Sequence, residues 1–160
     1  MPKIVLVHPE IPPNTGNIAR TCAATATELH LVEPLGFELS DRYLKRAGLD
    51  YWPHVNLEVH PDLTSFYQYQ QRIGGRLIGF TTKSSYSYID IEYSDDDWLL
   101  FGSESEGLPK TLLENCDCTA KIPMPHSSVR SLNLSVSVAI GLFEALRQLN
   151  YLSSDPGSTA

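Results

Sequence analysis

The sequence predicts an α/β domain with a mostly parallel sheet and helices on both faces. Three observations lead there. Short apolar runs alternate with helical patterns along nearly the whole chain, the sign of strand–helix–strand units. The 160 residues suffice for one domain with a sizeable core. Apolar residues make up 42% and charged residues 19%, an ordinary globular balance.

The elements follow in order. KIVLVH (3–8) reads as the first strand, since no small-residue cleavage site follows it as it would a signal peptide. Pro12, Pro13 and Asn14 lead into a helix over GNIARTCAATAT, with Asn14 or Thr15 as N-cap. ELHLVEP (28–34) is the second strand, stopped by Pro34. Ser40 caps a short helix that carries Arg42, Lys45 and Arg46 and is closed by Gly48. VNLEV (55–59) is a strand, and Pro61 fits the first turn of a helix over DLTSFYQYQQR. RLIGFTT (76–82) and DWLLFGS (97–103) are strands, and Pro109 opens the helix PKTLLENC. AKIPM (120–124) is the last short strand.

SLNLSVSVAI (131–140) alternates polar and apolar residues like a half-buried strand. From Leu134 onward, however, Val136, Ala139 or Ile140, Phe143, Leu146 and Leu149 recur at helical spacing. The stretch is therefore a loop turning into a long final helix, with Asn133 or Ser131 near its N-cap and backbone N–H donors at its start. Residues 1–150 form one domain. The small polar residues 151–160 read as a frayed tail.

The net charge of −7 argues against bulk electrostatic capture of nucleic acid but leaves room for a local basic patch at Arg42, Lys45 and Arg46. The longest apolar run is far short of a membrane span. Cys22, Cys116 and Cys118 show no disulfide framework, which fits a reduced, cytoplasmic setting. The C-x-C pair lacks the further ligands a metal site needs, and the five histidines are scattered. No G-x-S-x-G elbow is present to support a Ser-His-Asp reading.

Three strand ends are unusual: FTTK after LIG, GSESEGLP after WLLF, and PHSSVRSLNLS after IPM. Each alone also reads as ordinary turn or capping chemistry. Together they point to a shared ligand pocket at the carboxyl ends of the strands. GSESEGLP is not a phosphate-binding P-loop, and no G-x-G-x-x-G follows any strand. An acidic loop suits a cofactor that carries positive charge and no phosphate, such as S-adenosylmethionine. Near the N-terminus, Asn14, Asn17 and Arg20 fall at spacings of three. They are either a capped, solvated helix face or a polar stripe for a ribose or phosphate.

PEIPPNTGNIAR, RAGLDYW, FTTK, LLFGSESEGLP and IPM…RSLNLSVSVA together resemble the SPOUT methyltransferases, and within them the branch that acts on the wobble position of tRNA. The resemblance runs from about Pro2 to Leu149. It implies a C-terminal trefoil knot, a homodimer, and methyl transfer from S-adenosyl-L-methionine to the 2′-OH of cytidine or uridine 34. The alternative within the resemblance is another tRNA or rRNA ribose. Carried over by motif, the cofactor contacts fall at Phe80, Gly102, Ile122, Ser131 and Leu132. Relatives often have Leu where Phe80 stands, which implies recognition mainly through backbone. The resemblance implies Arg20, Asn14 and Asn133 as the catalytic residues, and Arg42, Lys45 and Arg46 are the expected contacts to the tRNA anticodon stem-loop. No metal and no membrane is implied. Arginine is an awkward general base because its pKa exceeds about 12, so orienting a phosphate or stabilising an alkoxide is the easier role.

Overall fold

The structure is a computed structural model, and it describes residues 1–40, 42, 46 and 51–154. Six strands form one sheet: β1 (Lys3–Val7), β2 (Leu29–Val32), β3 (Leu57–His60), β4 (Leu77–Phe80), β5 (Trp98–Phe101) and β6 (Cys118–Ala120). Their order is β3-β2-β1-β5-β4-β6, and every pairing is parallel. Parallel strands require crossovers, and crossovers cover both faces of the sheet. That is why the central strands are apolar without alternation: β1, β2, β4 and β5 are buried along almost their whole length.

Two cores result. Ile4, Leu6, Leu99, Phe101 and Ile78 face α1 (Pro12–Thr25) and the final helix α4 (Leu134–Gln148), where Ile18, Cys22, Val138 and Leu142 meet them. Val5, Val7, Trp98 and Leu100 face the opposite way, onto Phe66 of α2 (Leu63–Ile73) and Leu112 of α3 (Lys110–Asn115).

Some boundaries differ from expectation, each for a local reason. Asn14 and Thr15 do not cap α1; they lie buried inside it. Pro12 and Pro13 occupy its first positions, where a missing N–H costs nothing, and Ile11 is the N-cap. For α2 the cap is Asp62, whose carboxylate accepts the Ser65 N–H at 2.7 Å, so Pro61 lies just outside the helix. The last strand ends at Ala120 and does not reach Met124. Its partner β4 stops at Phe80, opposite Ala120, and beyond that only a single bridge from Lys121 to Ser87 continues the pairing. Most of the short helix expected around Lys45, namely residue 41, residues 43–45 and residues 47–50, lies outside the described residues. No described helix is long and apolar enough to cross a membrane.

The chain leaves β1 toward β2 and β3, whereas β4, β5 and β6 lie on the other side of β1. In a parallel sheet the connections diverge above such a reversal and leave a crevice at the carboxyl ends of the strands. Residues following β4, β5 and β6 gather there.

Candidate active site

The crevice has a volume of about 610 Å³, within the usual range for a small-molecule site. Its walls are the three unusual strand ends: Phe80–Lys83, Gly102–Leu108 and Ile122, with Arg130–Leu134 closing it from the final loop. Asn14 reaches it from α1.

Phe80 is 8% exposed, and its ring stacks on Phe101 with centroids 4.5 Å apart. Helix α4 crosses close behind it: a Cβ on Gly141 would lie 2.8 Å from the Phe80 ring. With its ring committed to the core, Phe80 offers the crevice mainly its backbone. Gly102 is demanded by packing, because a Cβ there would lie 1.9 Å from the Gly107 carbonyl carbon and 2.1 Å from the Leu108 N. The loop after β5 folds back on itself through the Ser103–Gly107 bridge, which sets this close approach.

The acidity of that loop also has a structural use. The Glu104 carboxylate accepts the backbone N–H of Glu10 at 3.1 Å and of Ile11 at 2.5 Å. It therefore supplies the acceptor that α1, headed by two prolines, lacks at its own N-terminus. The Ser105 hydroxyl donates to the Glu10 carboxylate and holds it below its ordinary pKa. The two contacts tie the loop after β1 to the loop after β5. Glu104 is thus an internal tether, and only Glu106 of this pair stays exposed.

Asn133 is the N-cap of α4. Its side-chain oxygen accepts the N–H of Ser135 at 2.9 Å and of Val136 at 3.4 Å. An oxygen so engaged fixes the amide orientation, and the Asn133 amide nitrogen then donates to the Asn14 side-chain oxygen at 3.1 Å. The expected free N–H donors at the start of α4 are therefore largely taken by Asn133 itself. Its contribution is to join α4 to α1 at the wall of the crevice.

Phe80, Gly102, Ile122, Ser131, Leu132, Asn14 and Asn133 line one space. Arg20 is not among its lining residues. It lies exposed on α1, six residues beyond Asn14, or about 9 Å along the helix axis. Its guanidinium stacks on the Tyr51 ring, 4.6 Å from the centroid. The polar stripe therefore splits: Asn14 turns in to the crevice, while Asn17 and Arg20 stay outside. Arg42 and Arg46 are exposed and are not among the lining residues, and Lys45 lies outside the described residues. Two cations that the sequence does not single out, Lys83 and Arg130, also line the crevice; they belong to the FTTK and PHSSVRSLNLS strand ends.

His8, at the end of β1, donates to the Val32 carbonyl at 3.2 Å and takes no part in the crevice. Burial pushes the Cys116 and Cys22 thiols up to about 12, so both stay protonated and unreactive.

Known proteins are similar to this chain in sequence and fold. Residues 1–143 match the SpoU rRNA Methylase family. A Synechocystis sp. protein is 59% identical over 152 residues, covering 95% of this chain and 99% of its own length; it bears provisionally the name tRNA (cytidine(34)-2′-O)-methyltransferase. A Photorhabdus asymbiotica protein of that name is 47% identical, over 94% of this chain and 96% of its own. A solved structure described as giving insights into 2-OH methylation of C/U34 on tRNA superposes with a TM-score of 0.90 at 49% identity, over 94% of this chain and 97% of that one. An AdoMet-bound rRNA methyltransferase from Sinorhizobium meliloti superposes with a TM-score of 0.85 at 28% identity, over 92% of this chain and 56% of that one. With the family match running through every strand of the sheet and into the helix that closes the crevice, the chain belongs to the SpoU rRNA methylase family.

Proposed function

We propose that the protein is a tRNA 2′-O-methyltransferase that transfers a methyl group from S-adenosyl-L-methionine to the ribose 2′-OH of the wobble nucleotide, cytidine or uridine 34. The observation that carries this is the full-length likeness, at 49% identity, to a structure concerned with that methylation. The crevice suits the cofactor. It has apolar surface from Ile122 and Leu132, backbone from Phe80 and Gly102, hydroxyls from Ser103 and Ser131, and no phosphate loop. When bound, S-adenosyl-L-methionine supplies a methyl carbon already made electrophilic by its sulfonium.

The chain's own residues then have two tasks: hold the ribose hydroxyl in line, and favour its alkoxide as the proton leaves. Asn14 and Asn133, locked to each other, present a fixed polar wall. Lys83 and Arg130 bring positive charge to the rim for a phosphate. Arg20 carries the catalytic charge, orienting the substrate phosphate or stabilising the alkoxide. It lies too far along α1 to line its own crevice, so in this reading it completes the crevice of a second copy. Exposed apolar side chains support such a homodimer: Val136 and Phe143 on α4 are 47% and 43% exposed, and Ile11 at the head of the adjoining α1 is 44% exposed. Arg42, Lys45 and Arg46 bind the anticodon stem-loop. Residues 1–150 form the single catalytic domain, with 151–160 as a tail, and the enzyme works in the cytoplasm without a metal.

The test is incubation with labelled S-adenosyl-L-methionine and, in separate reactions, unmodified tRNA and unmodified rRNA, with the methyl position mapped by mass spectrometry. Label on the ribose of nucleotide 34 is the expected result. Label on another tRNA or rRNA ribose replaces the wobble assignment by the broader one, and no label overturns both. Arg20→Ala is expected to cut transfer by about 10²- to 10³-fold, the usual range for a group that stabilises developing negative charge, with cofactor affinity unchanged by calorimetry. Undiminished transfer removes Arg20 from the chemistry.

A further inference from the structure

Arg20 has an unusual environment for a residue assigned to catalysis. Among the described residues, no carboxylate and no hydrogen-bond acceptor holds it, and its one close partner is the face of Tyr51. Tyr51 is well mounted. It precedes the 3-10 turn Trp52–His54, whose His54 N–H returns to the Tyr51 carbonyl at 2.9 Å and whose Val55 N–H returns to Trp52 at 3.2 Å. Trp52 and Val55 pack against the core that α1 also covers. The backbone that carries the ring is therefore fixed relative to the helix that carries Arg20.

The chemistry of this contact differs from that of an ion pair. A carboxylate partner neutralises a guanidinium and consumes its in-plane N–H donors. A ring stacked on the guanidinium face does neither. The cation keeps its charge, and all five N–H donors stay in the plane, available to ribose or phosphate oxygens. The stack also restricts a long, flexible side chain that is otherwise free in solvent.

We propose that Tyr51 is a positioning residue for Arg20: its aromatic face orients the guanidinium for methyl transfer without engaging the donors that the substrate needs. This rests on the reading of Arg20 given above. The ring, and not the hydroxyl, performs this role, and it acts on the orientation of the cation more than on RNA affinity.

The test compares Tyr51→Leu with Tyr51→Phe in the full-length protein, by steady-state methyl transfer to unmodified tRNA, calorimetry of S-adenosyl-L-methionine binding, and thermal unfolding. Tyr51→Leu is expected to lower kcat on the order of tenfold, with KM for tRNA and cofactor affinity within about twofold of the parent. Tyr51→Phe retains the parent kcat. In an Arg20→Ala background, Tyr51→Leu causes no further loss. If the Leu variant does not fold, Tyr51→Gln carries the same expectation. The proposal is overturned by a Leu variant with full kcat, by a Phe variant as impaired as the Leu variant, or by a loss confined to KM. Failure of the Arg20 reading itself looks different: Arg20→Ala then retains transfer whatever residue stands at 51.

Discussion

On the β2–β3 side of the sheet, His30 and His60 lie buried and bonded to each other, Nδ1 to Nε2 at 3.0 Å, while the second nitrogen of His30 meets the Glu28 carboxylate at 3.2 Å. On the β4–β5 side, Thr81, Lys83, Ser103 and Ser131 line an open crevice. Both regions place polar groups beside an apolar core. In the first, both ring nitrogens of His30 and the Nε2 of His60 are answered from within the chain, and Trp98, Phe66 and Tyr69 pack around the rings. In the second, the internal bonds hold the walls, as Glu104 and Asn133 do, and the space between them stays open. The difference separates polar groups that finish a fold from polar groups that await a ligand.

The largest expected effect tests the wall. Gly102→Val places side-chain carbons where the Gly107 backbone already lies, so the loop after β5 must move into the crevice or away from it. Cofactor binding measured by calorimetry is expected to fall by at least about a hundredfold, the loss that two well-placed contacts represent. Near-normal binding with the fold intact would show that this loop is not a wall of the site.

Asn133→Ala tests the tie between α4 and α1. It removes an N-cap and the bond to Asn14 together, for an expected loss of about 1–2 kcal/mol in denaturant unfolding. Asn133→Asp keeps the acceptor for Ser135 and Val136 but loses the donor to Asn14. It should recover most of the stability while methyl transfer stays impaired. Equal stability losses in both variants would mean that the tie, and not the cap, holds the helix.

The α/β alternation, the cores of the first five strands and the three crevice loops were legible, because each is written in consecutive residues; the last strand was not, since it shares only Ala120 with the expected 120–124. What escaped depends on pairing between distant segments. His30 and His60 read as scattered, since nothing local joins positions 30 residues apart. The parallel register of β2 on β3, with His30 opposite Glu58 and Val32 opposite His60, brings them together. Glu104 read as free negative charge because its partners, the N–H groups of Glu10 and Ile11, lie more than 90 residues away. Arg20 was legible as a motif residue, but not its position outside the crevice, since helical spacing places Asn14 and Arg20 on one stripe without saying where the crevice ends.

The smallest effect probes the internally satisfied side. Glu28 carries only acceptors, so the His30 nitrogen facing it bears the proton, and the other His30 nitrogen accepts from His60. That chain is complete with both rings neutral. Burial lowers the pKa of both histidines from the usual 6.5, opposed by Glu28 for His30 and by Glu58 for both; Tyr69 faces them from α2, under the guanidinium of Arg72. The unfolded chain therefore binds more protons than the folded one as pH falls below about 6.5. Stability from this cluster is full above that pH and declines on acidification through it. His60→Gln retains an N–H for His30 but cannot titrate. Its thermal midpoint is expected to start slightly below the parent's at pH 7.5 and to fall less between pH 7.5 and pH 5.5. Parallel falls in the two proteins would mean that His60 takes up no extra proton on unfolding.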